Sequence, residues 1–207
     1  MTKISLVRHG LVHNPDGVYY GRLPGFGLAE TGREQAAAAG RALALEPGDA
    51  VYHSPMQRAA ETAGIICAYL PADTPLQSCD LLNEIHSSYD GRTAAEMEGR
   101  NWDFYSIVDP PYEQPEQILD RIIRFFDRAR ERHPGGHVVG VSHADPIAFA
   151  IMWACGLAPS AEQRKRLVQC GVPEGYPSPA SIATFTFAEG DSGGLVGFRY
   201  RVPWHNG

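Results

Sequence analysis

The chain has few cysteines and no pattern among them. Cys67, Cys79, Cys155 and Cys170 are scattered through 207 residues without a CxxC pair, so neither a disulfide framework nor a thiolate metal site is expected. They read as reduced, mostly buried thiols of a cytoplasmic protein, and none has the local surroundings of a cysteine nucleophile. The eight histidines form no HxH or HExxH cluster, which sets a metal hydrolase behind other readings. No apolar run approaches the about 20 residues of a membrane span. The short run before Arg8 is also too brief for the core of a signal peptide. A basic surplus is missing too. The net charge of −6 argues against general nucleic-acid binding, which needs a positive face. Internal repeats, low-complexity tracts and linkers are absent.

What the chain has is a core. Apolar residues make up 43% of it, and a chain of this length buries about 70% of its unfolded surface. One domain over residues 1–207 is expected, needing no metal or cofactor to fold. Its periodicity alternates between strand and helix. Lys3–Val7 reads as a strand, and Thr31-Gly32-Arg33-Glu34 as a capping box opening an alanine-rich helix to about Leu45. Ala50–His53 is a second strand, Met56–Tyr69 a helix, and Gln77–Leu82 a third strand. Ile118–Arg132 is an amphipathic helix, whose arginines, Arg121 among them, read as a solvated face. His137–Ser142 and Pro146–Cys155 form a strand and an apolar helix. Ser181–Phe187 and Gly197–Val202 alternate like late strands, either a free sheet edge or an interface in a homodimer. This order predicts an α/β fold, a three-layer α/β/α sandwich with a mostly parallel sheet.

Two irregular segments interrupt the pattern. Asn14–Gly27 is rich in Gly, Pro and Tyr. Asn101–Pro115 carries Trp102, Phe104, Tyr105, Pro110, Pro111 and Tyr112. Such segments within a compact domain are usually lids or binding loops. The distinctive polar residues sit at strand ends, where parallel sheets bind ligands. Arg8 and His9 end the first strand. Ser54 and Arg58 follow the second, Glu84 the third, and Ser142 and His143 the fourth. The arginines offer forked donors to phosphate oxygens. A helix N-terminus after Pro55 adds backbone N–H groups. An imidazole and a carboxyl supply a nucleophile or base and an acid.

Arg8-His9-Gly10, His53-Ser54-Pro55-x-x-Arg58-Ala59-x-x-Thr62-Ala63, the isolated Glu84 with Gly91 behind it, and Val141-Ser142-His143 together resemble the histidine phosphatase superfamily, which includes the cofactor-dependent phosphoglycerate mutases. The resemblance spans residues 3–155 in the same order. It implies a phosphoglycerate mutase-like fold with cap-like insertions at about 14–27 and 85–115. It also implies that His9 becomes a phosphohistidine, that Arg8, Arg58 and His143 hold the phosphate, and that Glu84 protonates the leaving oxygen and then activates water. Asn14, Gly21, Arg22 and the backbone N–H of Ala144 complete the expected substrate contacts. Two guanidinium groups should keep the His9 imidazole neutral. The same groups should keep Glu84 ionised until a phosphate dianion reverses the local charge.

Some positions depart from the family pattern. Leu11-Val12 stands where Glu-Thr is common, the acidic-Pro-Leu-Thr approach to the first helix is absent, and Ser142-His143-Ala144-Asp145 replaces Ser-His-Gly-Gly. Asp145 therefore adds a carboxylate of unassigned role. Asn101–Pro115 contains no Lys or Arg but has Asp103, Asp109 and Glu113, which would repel a polyanionic substrate. A metal-independent hydrolase of small phosphate monoesters with neutral or apolar bodies is thus favoured. The alternatives are mutase-type phosphoryl transfer, a metal hydrolase and a non-catalytic phosphate-binding module.

Overall fold

The computed structural model describes residues 1–106, 111–190 and 193–204. Asp109 and Pro110 of the aromatic segment, and His205, lie outside these residues. Six strands form one sheet: β1 (Thr2–Arg8), β2 (Ala50–His53), β3 (Leu76–Ser78), β4 (His137–Ser142), β5 (Ile182–Phe187) and β6 (Leu195–Arg201). Their order is β3-β2-β4-β1-β5-β6. The pairings among β1 to β4 are parallel, whereas β5 runs antiparallel to β1 and to β6. The last two strands are therefore the expected hairpin at the sheet edge.

Strand alternation sends side chains to both faces, and helices cover each. Val7, Val51, Val139, Val141 and Ile182 pack against α1 (Glu30–Leu43) and α2 (Gln57–Cys67) through Ala39, Leu43, Ala59, Ala63 and Ile66. On the other face Ile4, Leu6, Val138 and Phe185 meet α4 (Pro115–Arg132) and α5 (Ala144–Ala154) through Ile118, Ile122, Phe125, Phe126, Ile147 and Ile151. The fold is a three-layer α/β/α sandwich. A short α3 (Ala94–Glu98) starts at a Thr93–Glu96 capping box. Two 3₁₀ segments, Asp80–Leu82 and Glu162–Cys170, complete the helical structure among the described residues.

Several local expectations fail for tertiary reasons. The capping box at Thr31 does not form: α1 begins at Glu30, with Ala29 before it and no side-chain cap. A bridge between Val12 and Leu28, and the bond from Ala29 N–H to Leu11 O (2.9 Å), set the start of the helix instead. The third strand stops at Ser78. The chain then turns into a 3₁₀ segment that buries Leu82, whose carbonyl accepts from Ser142 Oγ at 2.7 Å. No cysteine is buried: Cys155 is exposed and the other three are half-buried. Each stands at or beside an element end rather than in a helix or strand interior.

The two expected cap-like insertions, 14–27 and 85–115, meet. Val18 bridges Thr93, Tyr19 N–H donates to Arg92 O at 2.7 Å, and Gly91 N–H donates to Tyr19 O at 2.7 Å. Together they stand over the carboxyl ends of β1 and β4.

Candidate active site

The four parallel strands end at one sheet edge, and that brings the polar residues together. Arg8 pairs in register with Ser142, and His53 with both Val141 and Ser78. β1 stops at Arg8, so His9 escapes the strict alternation of strand side chains. Arg8 and His9 therefore line one cavity of about 300 Å³. Glu84 reaches it from the loop that Ser142 holds down and Ala144 from the start of α5, while Arg58, in the first turn of α2, stands behind the lining and donates to His9 and Glu84.

His9 is buried at the foot of the cavity. Its Nδ1 lies 2.8 Å from Gly10 O. A carbonyl only accepts, so Nδ1 carries the proton and Nε2 keeps its lone pair. Arg58 Nε donates to that Nε2 at 3.3 Å. The Arg58 side chain, only 1% exposed, also donates through Nη2 to Gly21 O (2.7 Å), His143 Nδ1 (3.2 Å) and Glu84 Oε2 (3.4 Å). His143 in turn bonds Ser54 Oγ through Nε2 at 2.8 Å. The rings of His9 and His143 are 5.2 Å apart. Arg8 donates through Nη1 to Pro177 O at 2.6 Å, while its buried Nε has no partner among the described residues.

Burial dominates the electrostatics. Both imidazoles titrate well below the ordinary histidine range, first because burial penalises their charge and then because Arg58 repels a proton. Glu84 corrects an expectation. Its carboxyl titrates above the ordinary range because burial outweighs the pull of Arg58 and of the Ile85 N–H. Burial alone therefore moves Glu84 toward the acid form, before any phosphate dianion arrives.

The family model of the histidine phosphatase superfamily (branch 1) matches residues 4–174. The chain belongs to the histidine phosphatase superfamily. An uncharacterized protein of Mycobacterium tuberculosis is 40% identical over 153 residues, covering 70% of this chain and 75% of that one. Phosphoserine phosphatase 1 of Hydrogenobacter thermophilus is 32% identical over 157 residues, covering 71% and 73%. Among solved structures, YhfR of Bacillus stearothermophilus superposes with a TM-score of 0.76 at 22% identity, covering 95% and 96%.

In this histidine phosphatase fold the remaining predicted residues take varied places. Asn14 lines the cavity, but both its polar atoms are engaged with the backbone of Val18. Gly21 offers its carbonyl to Arg58 rather than facing the cavity. Arg22 lies behind Glu84, donating to the Glu84 carbonyl at 2.6 and 2.9 Å and to Glu113 at 2.9 Å. His53 and His86 are outside the cavity lining. Of the aromatic segment, Trp102 and Phe104 line the cavity, whereas Tyr105 packs in the core.

Arg121 is the residue that sequence reading missed. It is buried, not solvated, and donates to Glu113 Oε1 (2.8 Å), Leu81 O (2.9 Å) and Glu84 O (3.3 Å). Its position between Ile118 and Ile122/Phe125 on the apolar face of α4 was the available signal. Asp145 is also buried, bound by Tyr105, Tyr176 and Arg164.

His9, Glu84 and His143 bring ligand atoms within 4.8 Å of one another, a spacing that a metal ion could use. Arg58 donates to an atom of each member of that trio. Its guanidinium both occupies the lone pairs and repels a cation, so this set fits an anion instead.

Proposed function

We propose that the protein hydrolyses small phosphate monoesters through a phosphohistidine on His9, without a metal. The observation that carries this reading is the His9 Nε2 lone pair, buried in a cavity that Arg8, with its unpartnered Nε, also lines. Arg8, Arg58 and His143 cradle the phosphoryl oxygens, joined by the Ala144 N–H in the first turn of α5, where an anion is favoured. On binding, phosphate oxygens replace Nε2 as the acceptor of the Arg58 Nε–H.

The Nε2 lone pair attacks phosphorus as the ester P–O bond breaks. The protonated Glu84 gives its proton to the leaving alkoxide. The resulting Glu84 carboxylate then takes a proton from water, whose oxygen attacks phosphorus. The P–N bond breaks, phosphate leaves, and Nε2 recovers its lone pair. Two displacements replace one difficult step. Gly21 positions Arg58, Arg22 and Arg121 hold the Glu84 backbone, and Asn14 shapes the loop over the cavity.

Hydrolysis is favoured over mutase transfer because Arg8 is the one cation of the cavity lining among the described residues. A mutase substrate brings a second anionic group with no counter-charge there. A phosphoserine phosphatase among the relatives is consistent with hydrolysis. The test is a panel of monoesters run beside His9→Ala. The substitution should abolish turnover and an acid-labile phosphoenzyme while leaving the circular dichroism spectrum intact. Undiminished turnover in His9→Ala, or loss of wild-type activity to a chelator with recovery on adding metal, would overturn the proposal.

A further inference from the structure

We infer that Trp102 selects the ester body, and that the natural substrate's alcohol is uncharged and carries a single ring. This rests on the phosphomonoester reading above. Away from the phosphate end, the cavity wall includes five aromatic residues, Tyr19, Tyr20, Trp102, Phe104 and Tyr176, beside Asn14, Val18, Ile85 and Ala94. Its carboxylate other than Glu84, Asp145, is already satisfied. It accepts from the Tyr105 and Tyr176 hydroxyls, each at 2.5 Å, and faces Arg164 Nη1 at 3.5 Å. A charged body entering here would lose water and meet no free counter-charge. A flat ring would gain offset or edge contacts with the wall.

Trp102 is held in a backbone conformation that a bulky residue rarely adopts. Asn101 and Trp102 have φ of +52° and +53°, in the left-handed region. Two bonds hold the indole's backbone there: Trp102 N–H to Met97 O at 2.9 Å, and Arg164 Nη2 to Trp102 O at 2.8 Å. Arg164 is anchored by Asp145, which also holds Tyr176. One carboxylate, directly after Ala144, thus ties two cavity walls to the start of α5. Strain of this kind persists where surrounding structure fixes a side chain for use.

Trp102 and Tyr176 also line a second cavity of about 690 Å³, with Ala161 and Val168 on its far side. They partition the two spaces. The partition is what limits the body to one ring.

The experiment compares kcat/KM for 2-phenylethyl phosphate and ethyl phosphate, whose leaving groups are both alkoxides. Trp102 is 38% exposed, so Trp102→Ala should not hollow the core. Wild type should prefer the phenylethyl ester by about tenfold, chiefly through KM, a ratio suited to one added aromatic contact. Trp102→Ala should erase most of that ratio, and Trp102→Phe should restore most of it. O-phosphoserine and 3-phosphoglycerate should be poorer substrates than the phenylethyl ester. An unchanged ratio in Trp102→Ala, or preference for the charged esters, overturns the inference. Should no monoester turn over, the hydrolase reading fails separately. Calorimetric binding of 2-phenylethylphosphonate against ethylphosphonate then decides the role of Trp102 by the same ratio.

Discussion

His9 and Glu84 are shifted by the same cause to opposite effect. Burial disfavours charge, so it lowers the imidazole and raises the carboxyl. The proposed first step needs His9 neutral and Glu84 protonated. Activity should be lost as pH falls through the lowered His9 value, and lost as pH rises through the raised Glu84 value. A plot of kcat/KM against pH is therefore expected to be bell-shaped. Its acidic limb should fall below the ordinary histidine range, and its alkaline limb above the ordinary carboxylate range. Glu84→Gln should remove the alkaline limb and slow hydrolysis of alkyl esters by roughly 10²- to 10⁴-fold. An acidic limb in the ordinary histidine range would contradict the burial of His9. The direction at His9 is readable from Arg8 and Arg58 as letters, whereas the direction at Glu84 is not. The sequence suggests that arginines dominate both groups, and at Glu84 burial reverses that answer.

Elements here meet by close backbone contact as much as by apolar packing. The N-terminus of α1 crosses the loop that follows His9, and glycine stands on both sides of the contact. A Cβ on Gly32 would lie 2.0 Å from Leu11 O, and one on Gly10 would lie 2.3 Å from Gly32 O. Alanine within a helix ordinarily gains about 1 kcal/mol over glycine. Here the obstacle is backbone that cannot rotate away. Gly32→Ala should destabilise the fold by roughly 1–3 kcal/mol, the usual range for overpacking, as read by urea denaturation. It should also lower kcat/KM, because the displaced loop carries His9. A stabilised variant would show that the loop gives way freely. The same crossing explains why the Thr31–Glu34 pattern fails: contacts to residues 11 and 12 choose where α1 begins.

Over the whole molecule, the buried histidines make stability depend on pH. His9 and His143 bind protons in the unfolded chain at the ordinary pKa, but in the folded chain only at a lower pH. Their contribution is fully present above the ordinary histidine pKa and is lost as pH falls toward the folded values. Each can cost up to about 1.4 kcal/mol per pH unit in that window. Calorimetric Tm should therefore decline from pH 7 to pH 5, and His9→Ala should make the decline shallower. Carboxylates held below their ordinary range, such as Glu113 beside Arg121, add to acid lability only at lower pH. Glu84, raised by the same burial, works in the opposite sense over this window, so the deciding observation is the change of slope: an unchanged decline in His9→Ala would mean that the His9 imidazole is not sealed from water. The net charge of −6 is no obstacle to an anion site, because Arg8 and Arg58 act within a few ångströms inside it.

The layered α/β architecture, the strand ends that carry chemistry and the order of the family motifs are all legible in the chain. Each depends on residues within a few positions of one another: apolar alternation, helical spacing, or a polar residue directly after an apolar run. The burial that raises Glu84, the inward turn of Arg121 and the ties from Asp145 to Tyr105, Arg164 and Tyr176 belong to the folded chain alone. Their partners lie 8 to 40 residues apart, and local patterns carry no information about which distant segment will cover a given side chain. Solvent exclusion and hydrogen-bond pairing are properties of that packing, so they arise only when the layers close.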